Sequence, residues 1–193
     1  TLAHEIGHIV LEADDQCIDW VADEPDAERV QEDLCDVIAA RLLIPADVID
    51  GVLAGEAPTA AHIYELYQNT RASRTACLIA VCGRMPCEAL ALLIEDDTDH
   101  VFYSSRAHDA RPYARPSDPL PNGHPLHRRE RLPATSESWW ASPSGDRRRY
   151  YQSVHHAGRW TYVLLTERDL WKVTTLHFDQ EAPEHRPHDG IVT

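Results

Sequence analysis

No run of 18 apolar residues occurs anywhere in the 193-residue chain, which excludes a transmembrane helix. No signal peptide stands at the visible N-terminus, and no initiator Met does either. The chain opens at Thr1, directly before a helical pattern, and we expect an upstream segment to be missing. There is no C-x-x-C. The cysteines Cys17, Cys35, Cys77, Cys82 and Cys87 are odd in number, and the last three repeat at five, a spacing that suits neither a zinc site nor one helix face. Reduced, mostly buried thiols are expected, and with them a cytoplasmic setting. Basic residues are scarce at the front: residues 1–70 hold 16 Asp and Glu against only Arg29 and Arg41, a net of −14, whereas residues 71–193 hold 16 of each sign. Such a surface repels nucleic acid and favours a basic protein partner, although solubility alone also accounts for it. We expect no nucleic-acid partner and no membrane association.

What is present begins at residue 4, where His4-Glu5-Ile6-Gly7-His8 reads H-E-x-x-H. Residues four apart lie one above the other on a helix face, so His4 and His8 can offer two imidazole nitrogens to one metal ion. Glu5 stands beside them, where it can take a proton from a water held at that ion. Leu2, Ile6, Ile9 and Val10 form an apolar stripe at helical spacing around the motif. The competing reading is a pair of surface histidines on an amphipathic helix.

Two histidines do not complete a catalytic zinc site, which needs a third protein ligand. The next strong helical segment runs from Asp26 to Ile44, with Pro25 before it and Pro45 ending it. Val30, Leu34, Val37, Ile38 and Leu42 fall on one face. Glu32 and Asp36 are four apart and share a face as well. One carboxylate can ligate the metal while the other accepts the second ring N–H of a ligating histidine. A solvated acidic face is the alternative for this pair.

Thr1 to Leu11, followed by Glu32-Asp-Leu-Cys-Asp-Val-Ile-Ala-Ala-Arg-Leu-Leu-Ile-Pro45, resembles the ImmA/IrrE family of zinc metallo-endopeptidases, which carries H-E-x-x-H and then a helix of the form E-x-x-A-N-x-F-A-A-x-L-L-M-P. The resemblance implies zinc as cofactor, His4, His8 and Glu32 as its ligands, and Glu5 as the catalytic residue. The departures are Cys35 for Ala, Asp36 for Asn and Ile38 for Phe. Asp36 makes the pair similar to the E-x-x-x-D helix of thermolysin-like peptidases, which suits a carboxylate orienting a ligating histidine. The resemblance also implies a narrow substrate: a helix-turn-helix transcriptional repressor, cut to release stress-response or mobile-element genes.

Beyond Pro45 we expect a short helix ending near Gly55, then helices over 59–68 and 73–84 with Ser73 as an N-cap, in a helix-turn-helix-like pattern. Only Arg71, Arg74 and Arg84 are nearby cations, too few for a DNA-reading face. Strands are expected over 88–94, 100–104, 149–156, 160–166 and 172–178, with loop and one short helix near 124–131 between the second and third. The fold class is therefore α+β. With the resemblance, it divides into an N-terminally truncated, zincin-like metallopeptidase part at 1–57, a helix-turn-helix-like segment at 58–87, a small GAF-like α+β domain at 88–178 and a disordered polar tail at 179–193.

Three smaller features carry weaker signals. His155-His156 with His177 could bind metal, but neighbours on a strand point to opposite faces. Arg147-Arg148-Arg149 suits a solvated loop, and Trp139-Trp140 either a sensor pocket or core. Tyr64, Tyr67 and several histidines are candidates for stabilising a transition state, with nothing to choose among them. A function from another class, a non-catalytic regulator binding a partner protein or DNA, competes with the peptidase.

Overall fold

The computed structural model describes residues 2–107, 110, 114–127, 132–141 and 147–172. The described chain is α+β: six helices followed by five strands. Of the expected strand over 172–178 only Lys172 is described, with left-handed rather than strand backbone (φ 51°); 173–178 and the tail from 179 lie outside the described residues. No described helix is long and apolar enough to cross a membrane.

The helices follow their punctuation. α1 (Leu2–Glu12) carries the H-E-x-x-H motif. α2 (Asp15–Ala22) is started by Asp14, whose carboxylate accepts the N–H groups of Gln16 and Cys17. α3 (Ala27–Leu43) stops where Pro45 disfavours helical geometry at the residue before it. α4 (Ala46–Leu53) ends in left-handed Ala54 and Gly55. α5 (Ala60–Asn69) begins with a reciprocal cap in which Thr59 Oγ1 accepts the His62 N–H and His62 Nδ1 accepts the Thr59 N–H. α6 (Arg74–Cys82) is capped by Ser73 as expected.

The strands β1 (Ala89–Glu95), β2 (His100–Ala107), β3 (Thr135–Ala141), β4 (Arg147–Ala157) and β5 (Trp160–Thr166) form one antiparallel sheet in the order β2-β1-β5-β4-β3. β3 corrects the expectation of loop through residues 105–146. Of the expected helix near 124–131, a single turn at 125–127 is present, and 128–131 lie outside the described residues.

Both sheet faces are covered, which explains why β1 and β5 are almost wholly apolar. Ala89, Ala91 and Leu93 of β1 with Tyr162 and Leu164 of β5 join the helical core of Ile44, Ile49, Ile63, Leu66 and Leu78. Their neighbours Leu90, Leu92, Ile94, Val163 and Leu165 face the other way, onto Leu120, Leu126, Trp140 and Tyr150. Helices α4, α5 and α6 therefore share one core with the sheet. Trp140 is core, and Trp139 stands edge-on to His124 with the Arg147 guanidinium 4.1 Å from its ring centre.

A bulge in β2 sets which way Tyr103 points. Leu93 pairs with Tyr103 but the next residue, Ile94, pairs with Val101, leaving Phe102 extra. The extra residue lets Val101 join the far core while Tyr103 turns to the helical side.

Candidate metal centre

The motif helix is held by its smallest residues. Ala3, Gly7 and Leu11 are its buried positions, whereas Leu2, Ile6, Ile9 and Val10 are exposed. The apolar stripe is thus not the face that α1 turns to α3. At Gly7 a Cβ would meet Cys35 O at 2.9 Å, Cys35 Cα at 3.0 Å and Cys35 Cβ at 3.2 Å. Only a residue without a side chain lets the two backbones come this close.

That approach brings the polar side chains of the two helices together. His4 Nδ1–H donates to Asp36 Oδ1 at 2.9 Å, and His4 Nε2 lies 3.1 Å from Glu32 Oε2. His8 Nε2 lies 3.4 Å from Glu32 Oε1, and the Gln31 amide is 3.4 Å from His8 Nδ1. The partners descend along α3 as they ascend along α1, so the helices run antiparallel. One ligand atom each from His4, His8 and Glu32 fall within 4.8 Å of one another, the one such group among the described residues. Glu5 is exposed on the first turn of α1.

The chemistry of this set fits a zinc ion. Asp36 as a carboxylate only accepts, so the bond at 2.9 Å puts the proton of a neutral His4 on Nδ1 and leaves the Nε2 lone pair pointing at Glu32. Nε2 and Oε2 are then two acceptors 3.1 Å apart, a pair that either a second ring proton or a metal ion can bridge. Two imidazoles and one carboxylate are a catalytic zinc donor set, with a position left for water. The histidine side chains are only 20% and 25% exposed while Glu32 is 53% exposed, so the cluster is walled on one side and open on the other.

Asp36 reaches further than the sequence suggested. Its second oxygen, Oδ2, accepts from the Tyr103 hydroxyl at 3.5 Å. Burial, with the Asp36 and Asp33 charges beside it, pushes the Tyr103 hydroxyl well above its ordinary range, so it stays a proton donor. Burial also raises the carboxyl of Asp33, one residue after Glu32, and the Cys35 thiol. Tyr103 was not foreseeable: it lies 67 residues from Asp36, and only the β2 bulge turns it to this side. Gln31 carried no signal beyond its place before Glu32.

The other candidates are engaged elsewhere. Tyr64 stacks on His155 at 4.8 Å between ring centres, and Tyr67 lies under the Arg74 guanidinium at 4.2 Å. His156 pairs with Thr161, and His177 lies outside the described residues. Arg74 also approaches Trp160, and Arg84 is tied to Asp50, so two of the three cations near the helix-turn-helix-like segment are occupied.

No protein-family model matches the chain. The chain is 32% identical over 164 residues to the radiation response metalloprotease IrrE of Deinococcus deserti, covering 76% of this chain and 58% of that protein. It is 37% identical over 89 residues to the radiation response metalloprotease IrrE of Deinococcus radiodurans, covering 45% of this chain and 27% of that protein. The chain thus spans little more than half the length of the first of these relatives, and less of the second. Among solved structures, a Mycobacterium tuberculosis transcriptional regulator aligns with a TM-score of 0.46 at 14% identity, covering 84% of this chain and 54% of that one.

Proposed function

Because the chain belongs to the ImmA/IrrE family, we propose that it is a zinc-dependent endopeptidase acting on a helix-turn-helix transcriptional repressor. The observation that supports this reading most is the cluster of His4, His8 and Glu32, with the proton of His4 drawn to the far side of the ring by Asp36. In this reading His4 through Nε2, His8 and Glu32 hold the metal, and Glu5 is the general base. Zinc bound there would polarise the scissile carbonyl and lower the pKa of the attacking water. Glu5 takes that water's proton and delivers it to the amide nitrogen as the C–N bond breaks. Asp36, itself held by Tyr103, keeps the His4 ring in one tautomer and orientation throughout.

The substrate class rests on charge and kinship. Residues 1–70 carry a net of −14, a field that draws in a basic DNA-binding protein. Both Deinococcus relatives are named for the radiation response, and a role in stress-response gene control follows in this reading. Residues 1–57 then act as the zincin-like peptidase part, 58–87 as a helix-turn-helix-like connector and 88–178 as a GAF-like unit that couples cleavage to a signal. Substitution Glu5→Gln tests the proposal: it should abolish cleavage of a helix-turn-helix repressor substrate while zinc content stays the same. Cleavage persisting in that variant would overturn the assignment of Glu5 and the peptidase mechanism with it.

A further inference from the structure

A cavity of about 520 Å³ opens where α3, α4, α6 and β2 meet. Its volume is that of a site for a small organic molecule. The walls are apolar: Val37 and Ala40 from α3, Ile44 just after it, Ile49 from α4, Ile79 and Ala80 from α6. Its charged lining is of one sign. Arg41, Arg84 and Arg106 border it, and no Asp or Glu among the described residues does. That is unexpected in this part of the molecule, where Arg41 is one of two bases among 16 acids over residues 1–70.

The three guanidinium groups are not equivalent. Arg84 is spent on the fold, bonding Asp50 at 3.1 Å and the Ala46 carbonyl at 3.3 Å, and so fastens α6 to α4. Arg106 lies near enough to the Asp33 carboxyl to favour its charged form. Arg41 makes no ion pair with any described residue and is exposed at the cavity's edge. A planar fork of donors beside an apolar hollow matches a carboxylate or phosphate carried on a hydrophobic body.

We propose that this cavity binds a small organic anion, an apolar body seated against Ala40, Ile79 and Ala80 with its acidic group on Arg41. The site is separate from the metal cluster and stands independently of the peptidase reading. The test is a two-dimensional amide NMR titration of the whole chain with 1-naphthyl phosphate, 1-naphthoate, the neutral 1-naphthalenemethanol and inorganic phosphate. The two naphthyl anions should saturate shifts at Ala40, Ile79, Ala80 and Ser105. The neutral alcohol and inorganic phosphate should each bind roughly tenfold or more weakly, as expected when one half of an apolar-plus-charged contact is removed. Arg41→Gln should weaken the anions by a similar factor, and Ala80→Leu, which fills the hollow, should abolish the shifts with the rest of the spectrum unchanged. Which of the two anions binds better separates a phosphate from a carboxylate ligand. Absence of saturable shifts at these residues, or equal affinity in both variants and the parent chain, would overturn the proposal.

Discussion

Asp36 is the residue that ties the candidate site to the sheet. One of its oxygens fixes the His4 tautomer and the other meets Tyr103. Losing such an orienting acceptor typically costs 10–100-fold in metal affinity. Asp36→Ala should therefore weaken zinc by about that factor in a chelator competition. Asp36→Asn keeps an acceptor oxygen for the His4 N–H and should recover most of the loss. Equal zinc affinity in all three forms would remove Asp36 from the site. His124 makes a second residue-scale prediction. It is buried, its Nδ1 accepts the Leu126 N–H, and its Nε2 lies 3.2 Å from Ser138 Oγ. Burial pulls its pKa from 6.5 to about 4. The unfolded chain thus binds a proton in a window where the folded chain does not, and stability falls as pH drops from 6.5 toward 4. Between pH 7 and pH 5 this one group should cost roughly 2 kcal/mol in urea unfolding, and His124→Asn should flatten that slope.

At the scale of elements, the pairing of α1 with α3 positions the candidate site, and Gly7 is its tightest point. A methyl added there meets the backbone of Cys35 at 2.9 Å, which α3 cannot yield without moving Glu32 and Asp36. Gly7→Ala should destabilise the fold by about 1–3 kcal/mol and lower zinc affinity together, as overpacking strains a close contact. A thermal melt and a zinc titration on the same variant would show whether the two effects travel together. The elements also show what could be read in advance. The helix carrying Glu32 was legible because Pro45 stops it and its carboxylates sit four apart. β1 and β5 were legible because burial on two faces leaves them almost wholly apolar. β3 was not, since its inward positions include Ser136 and Ser138, satisfied by Gln152 and His124, which invert the usual hydropathy alternation. α2 was hidden for another reason: although Cys17, Ile18 and Val21 fall at helical spacing, the helix is only 8 residues long, too short a pattern to mark it. The stripe of Leu2, Ile6, Ile9 and Val10 marked α1 as a helix but pointed away from its partner, because small residues rather than large ones make the contact with α3.

For the whole molecule, the helices from the end of α3 to α6 and one face of the sheet share a core. Ile44, Ile49 and Leu53 lie in the same core as Leu93, Tyr162 and Leu164, and Tyr103 reaches from β2 to Asp36. The sheet is thereby joined through Tyr103 and Asp36 to His4 of the candidate site. The cluster lies within the acid-rich first 70 residues and includes the Glu32 carboxylate, so the local charge as well as the donor set favours a divalent cation there. The central claim is that His4, His8 and Glu32 hold one zinc ion. Zinc-edge X-ray absorption on the purified chain, with metal content measured on the same sample, tests it most directly. The expected result is one zinc per chain, bound by two imidazole nitrogens and oxygen donors without sulfur, and loss of that zinc in Glu32→Ala. Sub-stoichiometric zinc, or a coordination shell containing a cysteine sulfur, would contradict it.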